Sequence, residues 1–499
     1  MQCKGIVINM TLIFSGNDFK YELESVVKLF IPATLFNIYY DIKPEYFDGD
    51  FCFIRRRRGK VKTYLYTICK IDGKLDVKAQ SIANSSDNHE GDCEIALARL
   101  LFLSLNALTG KSAKWGILTG IRPVKRVNKM LDKGMSKQSI VKELSEVFLC
   151  DKSKIDMAYK TAQIQKKALA DMRDNSFSLY VSIPFCPSRC SYCSFVSQSV
   201  ESSIKLIPEY VDRLCDEIAY TAKMLSNKDL SLDTIYIGGG TPTSLEAYQL
   251  EKIMKAISQS FDLSNLREYT VEAGRADTIT REKLEVIKAC GADRVSINPQ
   301  TLNDGVLKAI DRRHTVKQFI DSFMLAKEIG FSSINTDLIA GLPTETVESF
   351  MKTVDEIINL SPENVTVHTL SIKRAADLNR KSDTVIDNPA EQMIEYASKR
   401  LMEYAYNPYY LYRQKNMLEN LENIGWSKPD KESLYNIYIM EENQSIIALG
   451  AGASTKLVSR DGHLMRIFNY KFPLEYIKHF DIMLDKKKEA VEFIEQNLL

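Results

Sequence analysis

The chain has 499 residues, 45% of them apolar, and a formal net charge of +1. That length predicts two or three domains with real cores, and the balanced charge removes any bulk push toward nucleic acid or a membrane surface. The longest apolar runs are strand-length, no secretion pattern opens the chain, and the ten cysteines show no small-domain disulfide spacing. A cytoplasmic protein with no membrane span and with reduced or metal-bound thiols is therefore expected.

Residues 1–170 read as an N-terminal α+β domain whose role the sequence does not define. Strands are predicted over 5–14, 51–54 and 62–70, and helices over 93–108 and 154–171. Trp115-Gly-Ile-Leu-Thr-Gly-Ile-Arg-Pro forms a turn-rich stretch between the helices. The basic run Arg55–Arg58 invites a nucleic-acid reading, but Gly-Lys and a second strand-like run follow it. The tip of a solvated hairpin accounts for it better. Cys3, Cys52, Cys69, Cys93, Cys150, Cys215 and Cys290 read as buried structural thiols.

Over 171–375 six β-rich runs recur, at 179–183, 234–237, 269–272, 294–297, 334–338 and 365–369. Helical stretches at 208–224, 250–261, 281–290, 316–329 and 347–360 separate them. This alternation means parallel strands with right-handed crossovers: an α/β fold, a partial (β/α)6 version of the eightfold barrel, with its chemistry at the C-terminal strand ends. Residues 376–499 read as a third, mostly helical α+β segment covering the substrate, with a helix at 391–403.

Cys186, Cys190 and Cys193 have the spacing C-x3-C-x2-C. Three thiolates are one short of the four that usually hold a cubane iron–sulfur cluster, which leaves one iron open to a ligand that is not protein. Structural zinc is the alternative, but it wants four ligands, and the nearest downstream cysteine, Cys215, falls in a predicted helix without a partner. At the end of the second strand stands Ile237-Gly-Gly-Gly-Thr-Pro-Thr. Three glycines exceed what a turn needs and suit close approach of backbone to a ligand. Glu272, Gln300, Arg312 and Asp337 lie at or after later strands, where carboxylates suit ribose hydroxyls or an amino group and an arginine suits a carboxylate. Leu449-Gly-Ala-Gly-Ala-Ser-Thr is equally a tight turn or a ligand loop.

Taken together these motifs resemble the radical S-adenosylmethionine (SAM) family of oxygen-independent coproporphyrinogen III dehydrogenases and their relatives, over about residues 179–456. Trp115-Gly-Ile-Leu-Thr-Gly-Ile-Arg-Pro and Tyr409-Tyr-Leu-Tyr-Arg-Gln-Lys-Asn resemble the long coproporphyrinogen dehydrogenase-like branch of Firmicutes. The resemblance implies a 4Fe–4S cluster on Cys186, Cys190 and Cys193. It implies SAM contacts from Tyr180, Gly239, Gly240, Thr241, Glu272, Gln300, Arg312 and Asp337, and places the late glycine patch on a family glycine motif. The implied reaction is oxidative decarboxylation of two coproporphyrinogen III propionates to vinyl groups, giving protoporphyrinogen IX for haem synthesis. A one-electron donor such as flavodoxin or ferredoxin would feed it. The resemblance singles out no protein residue as catalytic.

Relatives that chaperone haem, or that methylate and open it, are the rival readings. Three positions depart from the family pattern. Ser182 replaces a common histidine. Phe195 stands where well-studied dehydrogenases have a further cysteine, as it does in the haem-chaperone relatives. Ala273-Gly-Arg-Ala276 lacks a proline, which reads as a minor backbone change. Arg275, Arg313, Lys373, Arg374 and Arg413 are the candidate cations for substrate carboxylates.

Overall fold

The computed structural model describes residues 9–31, 35–120, 122–194, 197–371, 390–413 and 421–497. They form two compact units, one up to Lys160 and one from Thr161 onward.

The first unit is built on a five-stranded sheet. Its strands are β1 (Asn9–Ser15), β2 (Leu35–Tyr40), β3 (Phe51–Arg58), β4 (Lys62–Ile71) and β5 (Lys74–Ala83), in the order β2-β1-β3-β4-β5. β4 shows why a sheet forms here: Thr63, Leu65, Cys69 and Ile71 are buried on one face, the period of two that a half-covered strand requires. The helix His89–Thr109 packs on β4 and β5 and stops at Gly110, whose φ of 67° closes the last turn. Arg55–Arg58 end β3 beside its hairpin turn, where the Gly59 N–H donates to the Lys62 carbonyl at 2.9 Å. Arg56 is taken up by Glu90, Nη1 to Oε2 at 2.6 Å, so the basic run is a hairpin end. Cys52, Cys69, Cys93 and Cys150 are buried; Cys215 and Cys290 are half-buried; Cys3 lies outside the described residues.

The second unit carries one eleven-stranded sheet. Its parallel body is β6 (Ser176–Ile183), β9 (Ser231–Gly239), β10 (Glu268–Glu272), β11 (Arg294–Ser296), β12 (Ser333–Ala340) and β13 (Asn364–Thr369). These are the six predicted runs, and with their connecting helices they form the parallel (β/α)6 part of the sheet. Helices Ile207–Leu225, Ala247–Ser260, Arg281–Ala289, Val316–Ile329 and Val347–Leu360 connect them. Leu179, Val181 and Ile183 on β6 have no exposed surface, and neither has Val271 on β10 or Val295 on β11. Covered strands of this kind belong to parallel sheets. A short pair, β7 (Phe185–Cys186) and β8 (Gln198–Ser199), leads into and out of the cysteine loop.

Residues 390–497 extend this sheet at both edges. β14 (Asn407–Tyr412) and β15 (Asn423–Ser427) add antiparallel strands beyond β13. β16 (Ser445–Leu449) adds a further parallel strand beside β6, followed by antiparallel β17 (Ser454–Val458) and β18 (Leu464–Phe468). Among the described residues no helix is long and apolar enough to cross a membrane.

Candidate functional site

The cysteine loop is anchored by the glycine run. Ile183, the last residue of β6, pairs with Gly239 at the end of β9. The pairing then continues past both strands: the Gly240 N–H donates to the Ile183 carbonyl at 2.8 Å and the Thr241 N–H to the Phe185 carbonyl at 2.8 Å. Thr241 Oγ1 lies 3.4 Å from Cys186 Sγ. Gly239 has φ +117°, which only glycine adopts without strain. A Cβ at Gly240 would stand 2.6 Å from the Phe185 oxygen and 3.0 Å from Cys186 Sγ. The glycines therefore let β9 lie against the chain that delivers the first thiol. Gly240→Ala must displace the Phe185 carbonyl or Cys186, and if the three cysteines serve the chemistry the resemblance implies, a shift of that size is expected to lower its rate about 100-fold. Release of 5′-deoxyadenosine per bound iron measures it.

Cys190 is buried, while Cys186 and Cys193 are half-buried. The Cys193 N–H donates to the Cys190 carbonyl at 3.0 Å, and the Ser191 N–H to the Ile310 carbonyl at 3.2 Å. Two guanidiniums face the Cys190 sulfur, Arg275 Nη1 at 3.7 Å and Arg312 Nη1 at 3.8 Å. Burial pushes the Cys186 thiol up, opposed by hydrogen bonds from Thr241 and Ser197. No three Cys, His, Asp or Glu side chains among the described residues surround a single ion. Three thiols on one loop, with two cations to offset their charge, fit a cluster that takes its ligands on separate irons.

Of the residues expected to contact SAM, Gly239 and Glu272 end β9 and β10, Gly240 and Thr241 follow β9, Tyr180 and Asp337 lie within β6 and β12, and Gln300 and Arg312 come after β11. Glu272 ends β10, and the Gly239 N–H and the Tyr236 hydroxyl donate to its carboxylate. Burial, reinforced by the charge of Asp337, pushes the Glu272 carboxyl up to about 8, against the pull of Arg312. Gln300 adopts φ +69°; its N–H donates to the Asp337 carbonyl at 2.9 Å and its carbonyl accepts from Ile339 N at 3.0 Å. Asp337 accepts from Asn335 Nδ2 at 2.8 Å and lies 3.8 Å from His368 Nε2. Although burial opposes it, these partners hold the Asp337 carboxyl below its ordinary range. Arg312 Nη2 donates to the carbonyls of Gly274, at 2.8 Å, and Asn298. Its buried Nε has no partner among the described residues, a donor left over for an incoming anion. Tyr180 stacks on Tyr236 at 6.2 Å, and Tyr236 on Tyr435 at 4.6 Å between ring centroids.

The late glycine patch turns out to be a joint of the scaffold. It follows β16, which pairs with β6. The Gly450 N–H donates to Glu217 at 2.7 Å, the Ala451 N–H to the Tyr210 hydroxyl at 2.9 Å, and Ser182 Oγ to the Ala451 carbonyl at 2.8 Å. Gly450, at φ +90°, has the Tyr210 hydroxyl where a Cβ would go. The hydroxyl of Ser182 is thus spent on tying β6 to this turn.

Of the substrate-cation candidates, Arg275 has to be withdrawn. It is 2% exposed and engaged by Asp277, Ser188 and Cys190. Arg413 is buried. Arg313 is exposed and lines a cleft of about 770 Å³ beside the cysteine loop, with Arg189, Lys308 and His314. Lys373, Arg374 and Phe195 lie outside the described residues. Sequence reasoning missed Asn298, His368 and Tyr435. Tyr435 arrives from the helix Leu434–Glu441, far along the chain, with no local motif to mark it.

Compared with known proteins, residues 180–357 match the radical SAM superfamily. The chain is 43% identical over 399 residues, 79% of each chain, to the oxygen-independent coproporphyrinogen-III oxidase-like protein HemZ of Bacillus subtilis. It is 34% identical over 321 residues to the heme chaperone HemW of Lactococcus lactis, across 63% of this chain and 79% of that one. Among solved structures, coproporphyrinogen III oxidase (HemN) from Escherichia coli, a radical SAM enzyme, shares the fold with a TM-score of 0.50 at 22% identity, over 65% of this chain and 73% of that one.

Proposed function

Because the chain belongs to the radical SAM family, in the branch of the coproporphyrinogen-III oxidase-like proteins, we propose that it oxidatively decarboxylates coproporphyrinogen III propionates to vinyl groups. Cys186, Cys190 and Cys193 would hold a 4Fe–4S cluster, and Tyr180, Gly239, Gly240, Thr241, Glu272, Gln300, Arg312 and Asp337 would receive SAM. The observation that carries the reading is the three-thiol loop locked to a glycine run at the strand ends, in a chain alike to HemZ along 79% of its length. When bound, these groups would supply one-electron reduction and hydrogen-atom abstraction chemistry. The protein's part is to bind, orient and exclude water. Arg312 offers its free Nε to a carboxylate, Glu272 and Asp337 accept from amino or hydroxyl groups, and the tyrosine stack gives the pocket an apolar wall. A one-electron donor is required as partner.

Glu272 makes one part of this reading sensitive to pH. Its carboxyl titrates near 8 in the free protein, so at neutral pH it mostly carries a proton that a cationic ligand must displace. SAM affinity should fall as pH drops below about 8, by at most about tenfold per unit, and level off above it. Glu272→Gln should bind more weakly at high pH and lose this component. Calorimetric titration of both proteins from pH 6.5 to 9 measures the difference; parallel profiles would remove Glu272 from the SAM site.

The reaction itself is tested anaerobically with reconstituted protein, reductant, SAM and coproporphyrinogen III. Stepwise loss of carboxyl groups with matching 5′-deoxyadenosine is the expected result. SAM cleavage with an unchanged porphyrin, together with stable binding of haem, would instead support a haem-chaperone role, which the likeness to HemW favours.

A further inference from the structure

The segment Ala273-Gly-Arg-Ala276, where the family proline is missing, places a cation against the cysteine loop. Arg275 follows the end of β10 and is 2% exposed. Its Nε and Nη2 hold the two oxygens of Asp277 at 2.9 and 2.7 Å. Its Nη1 donates to the carbonyl and the hydroxyl of Ser188, at 3.0 and 2.9 Å, and reaches Cys190 Sγ at 3.7 Å. One guanidinium therefore ties the stretch between the first two cysteines to the barrel and faces the sulfur of the second. Asp277 fixes the fork in that orientation, as a carboxylate does for a planar guanidinium. Arg312 also faces Cys190, but it is held by two backbone carbonyls, and its Nε has no partner among the described residues. Arg275 has its carboxylate partner already.

We propose that Arg275 is a positioning residue for the iron–sulfur centre: it fixes the Cys190 thiolate and, by its hydrogen bond and positive charge, raises the reduction potential of the cluster held there. The physical reason is that reduction adds one negative charge to the cluster. A donor on a ligand sulfur and a nearby cation stabilise the reduced form more than the oxidised one. Asp277, one carboxylate further out, partly cancels the cation and so works in the opposite direction. The proposal rests on the reading that these cysteines hold a 4Fe–4S cluster.

The test compares wild type, Arg275→Met, Arg275→Lys and Asp277→Asn, each reconstituted anaerobically. Iron and sulfide are counted, and the cluster is titrated with dithionite as the one-electron reductant while the reduced form is followed by electron paramagnetic resonance. For Arg275→Met the ratio of reduced to oxidised cluster at a fixed solution potential should fall about tenfold, which for one electron is about 59 mV. Arg275→Lys keeps the charge but not the fork and should fall between Met and wild type. Asp277→Asn should shift the ratio the other way. A purely architectural role would lower iron content while leaving the remaining cluster at the wild-type potential, and that result overturns the proposal. If Arg275→Met takes up no cluster, Arg275→Lys decides: an unchanged potential rejects the tuning role. Failure of wild type itself to take up a cluster would instead reject the underlying reading.

Discussion

Cys190→Ala is expected to take up no reducible cluster and to cleave no SAM. Cys190 is the central and most deeply buried of the three thiols, and its loop is fastened on both sides, by Arg275 to Ser188 and by the Ser191 N–H to Ile310. Alanine leaves that architecture standing, since the fastening groups are backbone atoms and Ser188. It removes one of three ligands from a site already one short of the usual four. It also leaves Arg312 Nη1 facing a methyl group, at a cost of about 1–3 kcal/mol for a buried polar group deprived of its partner, while Arg275 Nη1 keeps Ser188. The variant should therefore fold while iron content and 5′-deoxyadenosine release drop to background. Cys215→Ala is the matched control. Cys215 sits half-buried on the helix Ile207–Leu225 and has no place at the site, so its loss should leave iron content unchanged. Full iron and full SAM cleavage in Cys190→Ala would overturn the assignment of the three cysteines.

What could be read from the sequence follows from how local each signal is. The six barrel strands are short covered β-rich runs between amphipathic helices, and each signal lies within one window; the helices Val316–Ile329 and Val347–Leu360 were placed to the residue. β5 is an edge strand: Leu75, Val77 and Ala79 do alternate with Lys74, Asp76, Lys78 and Gln80, but Leu75 and Val77 are exposed, so the pattern does not mark a buried strand face. The later strands escaped because their partners are remote: β16 lies beside β6, more than 260 positions earlier. The site shows the same division. Three cysteines within eight residues and three consecutive glycines declare themselves, and the fold brings them together. Arg275 reads from the sequence as a substrate cation. Only the packed structure shows that its guanidinium is enclosed by Asp277, Ser188 and Cys190. The glycine patch after β16 left a ligand loop and a turn equally open, and the deciding contact is with Glu217 and Tyr210, on a helix from the other end of the barrel sequence.

That contact sets up the largest expected effect on stability. Glu217 is fully buried and Lys487 is 1% exposed; they pair at 3.3 Å. Glu217 also accepts from the Gly450 N–H at 2.7 Å, Asn469 Nδ2 at 3.0 Å and the Tyr476 hydroxyl at 2.7 Å. Lys487 in turn donates to the Ala448 carbonyl at 2.6 Å. Burial pulls the Lys487 amine below its ordinary range, and the adjacent Glu217 opposes that pull. Lys487→Met leaves the carboxylate buried without its counter-ion, and breaking a buried pair from one side costs about 3–5 kcal/mol. The urea midpoint should fall accordingly at unchanged slope. Adding Glu217→Gln should recover much of the loss, because the amide oxygen still accepts from Gly450 and no charge remains unpaired. An unfolding free energy within about 0.5 kcal/mol of wild type for the single variant would mean that the pair contributes nothing. Below its transition Lys487→Met should still take up iron, since no member of the network touches a thiol. Its activity should weaken through Gly450, which packs on the Ser182 carbonyl at the end of β6, two residues before the turn that delivers Cys186.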